Sequence, residues 1–153
     1  MEVAKKEKKE LDFVKLYEHF TSLKMRISGL EAEIKRVASL EDLVDIPSFY
    51  RLMAGTGTHK GWQRVVFFLP YVKHKVGADS IGRQLAKGKV SEMRLFQIIR
   101  SGSPNDIIQL RRLVQQVKPT VDWQYFGKTL YWWDCDDRKK QQLLEDYFLA
   151  SKK

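Results

Sequence analysis

The sequence predicts an all-α protein: a compact helical bundle of about seven to nine helices of ordinary or shorter length, with two packed helical sub-bundles as a variant of the same arrangement. Three observations carry this expectation. Apolar residues recur at three- and four-residue intervals through most of the 153 positions. Helix-starting signals at Ser39, Pro47, Ser91, Ser103-Pro104 and Asp122 fall just ahead of such runs. No segment shows the strict alternation of a half-buried strand; VVFFLPYV lacks both alternation and a partner run, so helix is the better reading.

Taken in order, residues 1–10 form a charged flexible tail, and residues 11–150 a single helical domain. Phe13, Leu16, Tyr17, Phe20, Leu23 and Ile27 keep helical spacing and predict a long amphipathic helix ending near Ser28-Gly29. Leu30, Ile34, Val37 and Ala38 add a shorter one, with Lys35 and Arg36 facing out. Ser39 before Glu41 and Asp42 opens the next turn, since acidic groups suit a helix N-terminus. Pro47 sits well at a first helical position, with Phe49, Tyr50, Leu52 and Met53 as the apolar body. Gly55 to Thr58 is a loop without the GxxxxGK[ST] pattern of a phosphate cradle. Trp62, Val65, Val66, Phe68 and Leu69 make a helix that Pro70 ends or kinks, and residues 71–79 are a basic connector.

The stretch from Ser80 to Val117 looks like the organising one. Leu95, Phe96, Ile98 and Ile99 form an apolar arc, while Arg94, Gln97 and Arg100 lie opposite. Ser91 caps this helix. Ser103-Pro104-Asn105-Asp106 is a second start signal, with serine as cap, proline first and an acid third. Ile107, Leu110, Leu113, Val114 and Val117 then form a stripe, with Arg112 opposite and Arg111 on the flank. Lys118-Pro119 ends it. Asp122 caps a helix carrying Trp123, Phe126, Leu130 and Trp133 inward, and the last helix buries Leu143, Leu144, Tyr147 and Phe148.

Charge is unevenly placed. The chain nets +9, and residues 60–118 alone hold twelve lysines and arginines against Asp79, Glu92 and Asp106. The remaining residues cancel. Such localisation favours a polyanionic partner. The basic candidates in that segment are Lys60, Arg83, Lys87, Lys89, Arg94, Arg100, Arg111 and Arg112. Arg138, Lys139 and Lys140 stand out differently: they occupy the first turn of a helix, where the dipole disfavours cations.

Chemistry other than charge has little to stand on. His19, His59 and His74 lack ligand partners at metal spacing, and no nucleophile motif or dinucleotide fingerprint occurs. Asp134, Asp136 and Asp137 fit a solvated capping turn better than a calcium loop. The expectation is therefore no catalytic residue, no metal and no cofactor. Cys135 is the single cysteine, so no internal disulfide forms; with no apolar run near the ~18 residues of a membrane span, a cytoplasmic location is expected. Tyr131 and Trp132 project away from the core-facing tryptophans, as stacking platforms or a protein contact.

Several stretches, in order, resemble one family: IKRVASLEDLVDIPSFYRLM, SIGRQLA, MRLFQIIR, NDIIQLRRLV, VDW, TLYWW and QQLLEDYFL. The chain is similar from about Phe13 to Leu149 to the CasB family, the small subunit of the type I-E CRISPR surveillance complex Cascade. The resemblance implies a small helical protein without catalytic activity. It implies as partners a second copy packed head to tail, the CasC backbone subunits, the large subunit CasA, guide RNA and target DNA, mainly the displaced non-target strand, with no membrane. By motif, Arg36, Arg94, Arg100 and Arg112 are the family-like basic positions, with Lys60 a weaker alignment. The chain departs from the pattern at Ser103 and in the acidic turn before Arg138. The residues alone leave two other readings open: an autonomous helix-turn-helix DNA binder, and a scaffold whose arginines meet acidic protein surfaces.

Overall fold

A computed structural model describes residues 11–151; the expected tail at residues 1–10 lies outside the described residues. The described residues are all-α apart from one two-stranded pair. The helices are α1 (Phe13–Arg26), α2 (Leu30–Arg36), α3 (Pro47–Met53), α4 (Lys60–Phe68) and α5 (Ile81–Lys87). They continue with α6 (Glu92–Arg100), α7 (Asn105–Val117), α8 (Trp123–Tyr131) and α9 (Asp137–Ser151). Short 3-10 turns occupy Leu40–Asp45 and Leu69–Tyr71.

Local signals account for most boundaries. Asp12 Oδ1 accepts from Lys15 N–H at 2.9 Å to start α1, and Gly29, with φ +84°, turns the chain into α2. Ser91 Oγ accepts from Arg94 N–H at 3.1 Å, and Asp122 Oδ1 from Gln124 N–H at 3.1 Å. One start signal differs from its expectation. Ser103 does not cap α7, whose first residues follow Pro104 with no side-chain cap. The acid of that signal, Asp106, is fully buried instead: Oδ2 accepts from Trp133 Nε1 at 2.8 Å and pairs with Lys140 Nζ at 3.2 Å. Tyr50 is also displaced from the expected apolar body; it is exposed, and its hydroxyl donates to Val44 O at 2.6 Å.

The centre of the molecule is α4, not the arginine-bearing stretch. Every residue from Gly61 to Leu69 is buried, polar ones included. A helix apolar on all sides belongs inside a bundle. Its neighbours α2, α7 and α8 and the first 3-10 turn wrap it, and the buried apolar side chains from Phe13 to Tyr147 form one connected core.

Two further contacts position the surface. Glycine at position 82 lets α5 lie directly on α9: a Cβ there would meet Asp146 Cβ at 2.7 Å and Tyr147 N at 2.9 Å. The basic connector contains a short strand β1 (Lys73–His74), paired in parallel with β2 (Thr120–Val121), Lys73 opposite Thr120. Gln84 clamps this pair from α5. Its Nε2 donates to Thr120 O at 2.6 Å, and its Oε1 accepts from Thr120 N–H at 3.1 Å. Two residues per strand are too few to show as periodicity in a sequence.

Candidate nucleic-acid interface

The amphipathic character of α6 and α7 decides which arginines reach solvent. Leu95 and Ile98 on α6, with Ile107, Leu110, Leu113 and Val114 on α7, are buried. Arg94, Arg100 and Arg112 emerge on the opposite sides and are exposed. Arg94 Nη1 donates to Gln116 Oε1 at 3.1 Å, which ties α6 to α7. Arg112 stands one turn before Gln116 on the same helix, so Arg94 and Arg112 share one outer face. Arg100 ends α6 with its guanidinium over the Phe96 ring, 5.4 Å from the centroid.

Other candidates are placed more widely. Arg83 is exposed on α5, and Lys89 follows it in the α5–α6 turn, exposed and at φ +62°. Neighbouring Lys87 is tied to Asp79 at 2.8 Å. Arg36 is exposed at the end of α2, and Lys60 is exposed at the first position of α4. Arg138 is exposed, with Nε and Nη2 donating to the two Asp136 oxygens at 3.1 and 3.2 Å. These bonds hold the Asp136 carboxyl below its usual value and the Arg138 guanidinium above its own. Lys139 is partly buried beside a groove of about 550 Å³ that Tyr125, Lys128 and Asp146 also line.

Two sequence candidates turn inward. Arg111 is expected on the flank of its helix but is only 8% exposed. Its guanidinium carbon lies 3.7 Å from the centroid of the Phe67 ring, and Nη2 donates to Val37 O at 2.7 Å. Burial pushes its pKa down, and the adjacent Arg112 charge adds to that. The 3.6-residue period puts position 111 over α4, so the side chain packs as a flat apolar body. Lys140 likewise closes onto Asp106 and sits 5.4 Å from the Trp133 centroid. Arg111 belongs with the core, and Lys140 is partly buried against it.

Arg64 was not singled out by the sequence and is the most heavily bonded arginine of the described residues. Buried on α4, it donates from Nε to Leu130 O at 2.6 Å, from Nη2 to Tyr131 O at 2.7 Å and from Nη1 to Asp134 Oδ2 at 3.0 Å. Two of these acceptors are carbonyls at the end of α8 and the third is a carboxylate in the turn beyond, so Arg64 caps the helix end from the side. The signal was present: a polar Gln63-Arg64 pair inside an otherwise apolar run.

The first turn of α7 also bears on the helix-turn-helix outline. Asp106 and Ile107 are both fully buried there, which leaves Asn105 as the one exposed side chain of a turn that would have to read bases. Among the described residues, no group of three or more His, Cys, Asp or Glu side chains is placed to hold a metal ion. No described helix is long and apolar enough to cross a membrane.

An all-helical body with arginines held out on one pair of helices, and few free acids beside them, defines a small protein with a cationic outer face. The chain belongs to the family described as CRISPR-associated protein Cse2, whose profile matches residues 31–148. It is 36% identical over 160 aligned positions to the CRISPR system Cascade subunit CasB of Escherichia coli K12, covering 94% of this chain and 97% of that protein. Among solved structures it matches a chain of the E. coli Cascade complex bound to a PAM-containing double-stranded DNA target. The TM-score is 0.84 at 36% identity, over 94% of this chain and 98% of the other. The family resemblance drawn from the sequence motifs therefore holds over nearly the whole chain.

Proposed function

We propose that this chain is the non-catalytic small subunit of a type I-E Cascade complex, binding nucleic acid without sequence preference and holding the displaced non-target DNA strand. In this role it stabilises the R-loop, in a cytoplasmic ribonucleoprotein whose other members are a second copy, CasC, CasA and guide RNA. One observation carries the proposal: Arg94, Arg100 and Arg112 stand exposed on the α6–α7 pair, in the segment that holds the chain's excess charge. Full-length similarity to a Cascade subunit supplies the context. Exchanging DNA pairing for RNA–DNA pairing is nearly balanced in free energy, so modest backbone contacts to the freed strand tip it. Arginine suits phosphate through its two-pronged donor geometry.

The test reconstitutes the complex with wild-type chain or with Arg94, Arg100 and Arg112 changed to glutamate. R-loop lifetime on a matched target and subunit stoichiometry are measured together. We expect assembled complexes whose R-loops collapse. Unchanged R-loops would remove these arginines from the clamp. Loss of assembly would instead favour the scaffold reading, in which the same side chains face acidic protein surfaces.

A further inference from the structure

The end of α8 carries a feature that the charged face does not explain. Trp132, the residue that closes the helix, is 43% exposed, although a tryptophan this size is usually mostly buried. It is held despite its exposure. Its ring stands edge-on to Tyr131, with centroids 4.8 Å apart at 77°. Tyr131 is locked in turn: its hydroxyl shares a 2.6 Å hydrogen bond with His59 Nε2, and its ring lies so close to Gly61 that a Cβ there would come within 2.8 Å. Burial raises the Tyr131 pKa despite the Arg64 charge nearby. Beneath, Arg64 fixes the Leu130 and Tyr131 carbonyls. A large aromatic face is thus presented to solvent in a fixed attitude, with its ordering cost already met by folding.

Two lysines flank the ring. Lys60 lies between His59 and Gly61, the two residues that grip Tyr131, and is exposed. Lys128 precedes Trp132 by one turn on the same face of α8, and Tyr125, 69% exposed, stands almost a further turn back. In the acidic turn that follows, Asp134 is committed to Arg64 and Asp136 to Arg138, while Asp137 is exposed. Aromatic faces with cations alongside are what a single-stranded nucleic acid engages without reading its sequence, bases stacking and phosphates pairing.

We propose that Trp132 is a base-stacking residue for single-stranded nucleic acid, with Lys60 and Lys128 meeting the adjacent phosphates and Tyr125 extending the track. This presupposes the strand-holding role proposed above and adds a stacking contact to it, away from the arginines of α6 and α7. The rigid tyrosine–histidine support is what distinguishes it from a merely exposed side chain.

The probe is short oligothymidylate, titrated against the full-length chain with tryptophan fluorescence as readout. Trp62, Trp123 and Trp133 are buried, so quenching on binding reports Trp132. We expect Trp132→Leu to weaken binding roughly 5- to 150-fold, the range of one lost base stack, and to abolish the quench. Trp132→Phe should restore most of the affinity. The slope of log affinity against log salt should stay as in wild type, because no phosphate contact is removed, whereas Lys60→Glu should lower it. Wild-type affinity in Trp132→Leu, or a quench that persists, overturns the proposal. So does the case in which Trp132→Leu binds oligothymidylate normally yet drops out of the reconstituted complex, which would make the ring a protein contact. If glutamate at Arg94, Arg100 and Arg112 abolishes binding while Trp132→Leu leaves it intact, strand holding survives and the stacking site fails. If neither change matters, strand holding itself is lost.

Discussion

Arg111 and Arg112 are adjacent in sequence and opposite in consequence. Arg111 lies flat on Phe67 and donates to the Val37 carbonyl, while its Nη1 finds no partner among the described residues. Arg111→Ala opens a cavity against α4 and orphans that carbonyl, and should cost about 2–4 kcal/mol in urea unfolding, like other large-to-small core changes. Arg112→Ala should change stability by no more than about 0.5 kcal/mol, as surface substitutions do, and should instead weaken nucleic-acid affinity. Measuring both quantities for both variants checks the assignment; equal stabilities would refute it. Glu33 offers a second residue-scale test. Its carboxylate bonds to Ser48, whose N–H it accepts at 3.1 Å, and this holds its pKa below the ordinary value. With the folded pKa depressed, the stabilisation is complete above the unfolded-state pKa and is lost as pH falls through the folded one. Glu33→Gln should flatten the acid limb of the stability–pH curve, and an unchanged limb would exclude the bond as its source. Arg111 was misread from sequence because its position lies at the border between the two faces of α7, where a few tens of degrees decide burial. Asp106 was read as a helix-start acid because nothing local reveals that Trp133 and Lys140, far along the chain, converge on it.

Among the elements, α5 depends on a single glycine for its crossing with α9. Its seven residues make the most extensive helix–helix contact of the fold, and Gly82 sits where the two backbones approach. Gly82→Ala should destabilise by about 1–3 kcal/mol through overpacking against α9's backbone, with α9 amides losing hydrogen-exchange protection ahead of α1. Uniform protection across α9 would show that the crossing relaxes without loss. Helix existence was legible here from spacing for α1, α6, α7 and α8, and from capping for α6 and α8. The centrality of α4 was less so. Its run WQRVVFFL carries an arginine and a glutamine that argue for partial exposure; burying them is favourable because the end of α8 and Asp134 accept from Arg64 and the Thr58 carbonyl accepts from Gln63.

For the molecule as a whole, the excess charge and the connected core are largely separate properties. The contacts of the exposed Arg94 and Arg100, with Gln116 and Phe96, lie at the surface, so reversing Arg94, Arg100 and Arg112 should leave the thermal midpoint close to wild type while removing salt-sensitive affinity. A steep fall of wild-type binding with salt, much reduced in the triple variant, is the expected pair of curves. The sequence showed where the charge lies along the chain; it did not show that Arg111 and Lys140 withdraw from the surface or that Arg138 is tied to Asp136, because each depends on tertiary neighbours. The β1–β2 pair has a further consequence. Residues 73–74 and 120–121 lie side by side, so the intervening chain, whose α5 and α7 pack onto α9 and α4, forms a loop closed at its neck. That loop carries nine lysines and arginines against three acids. The outward charge of this segment can therefore change by single substitutions at its exposed positions, while the buried faces of its helices keep it joined to the body.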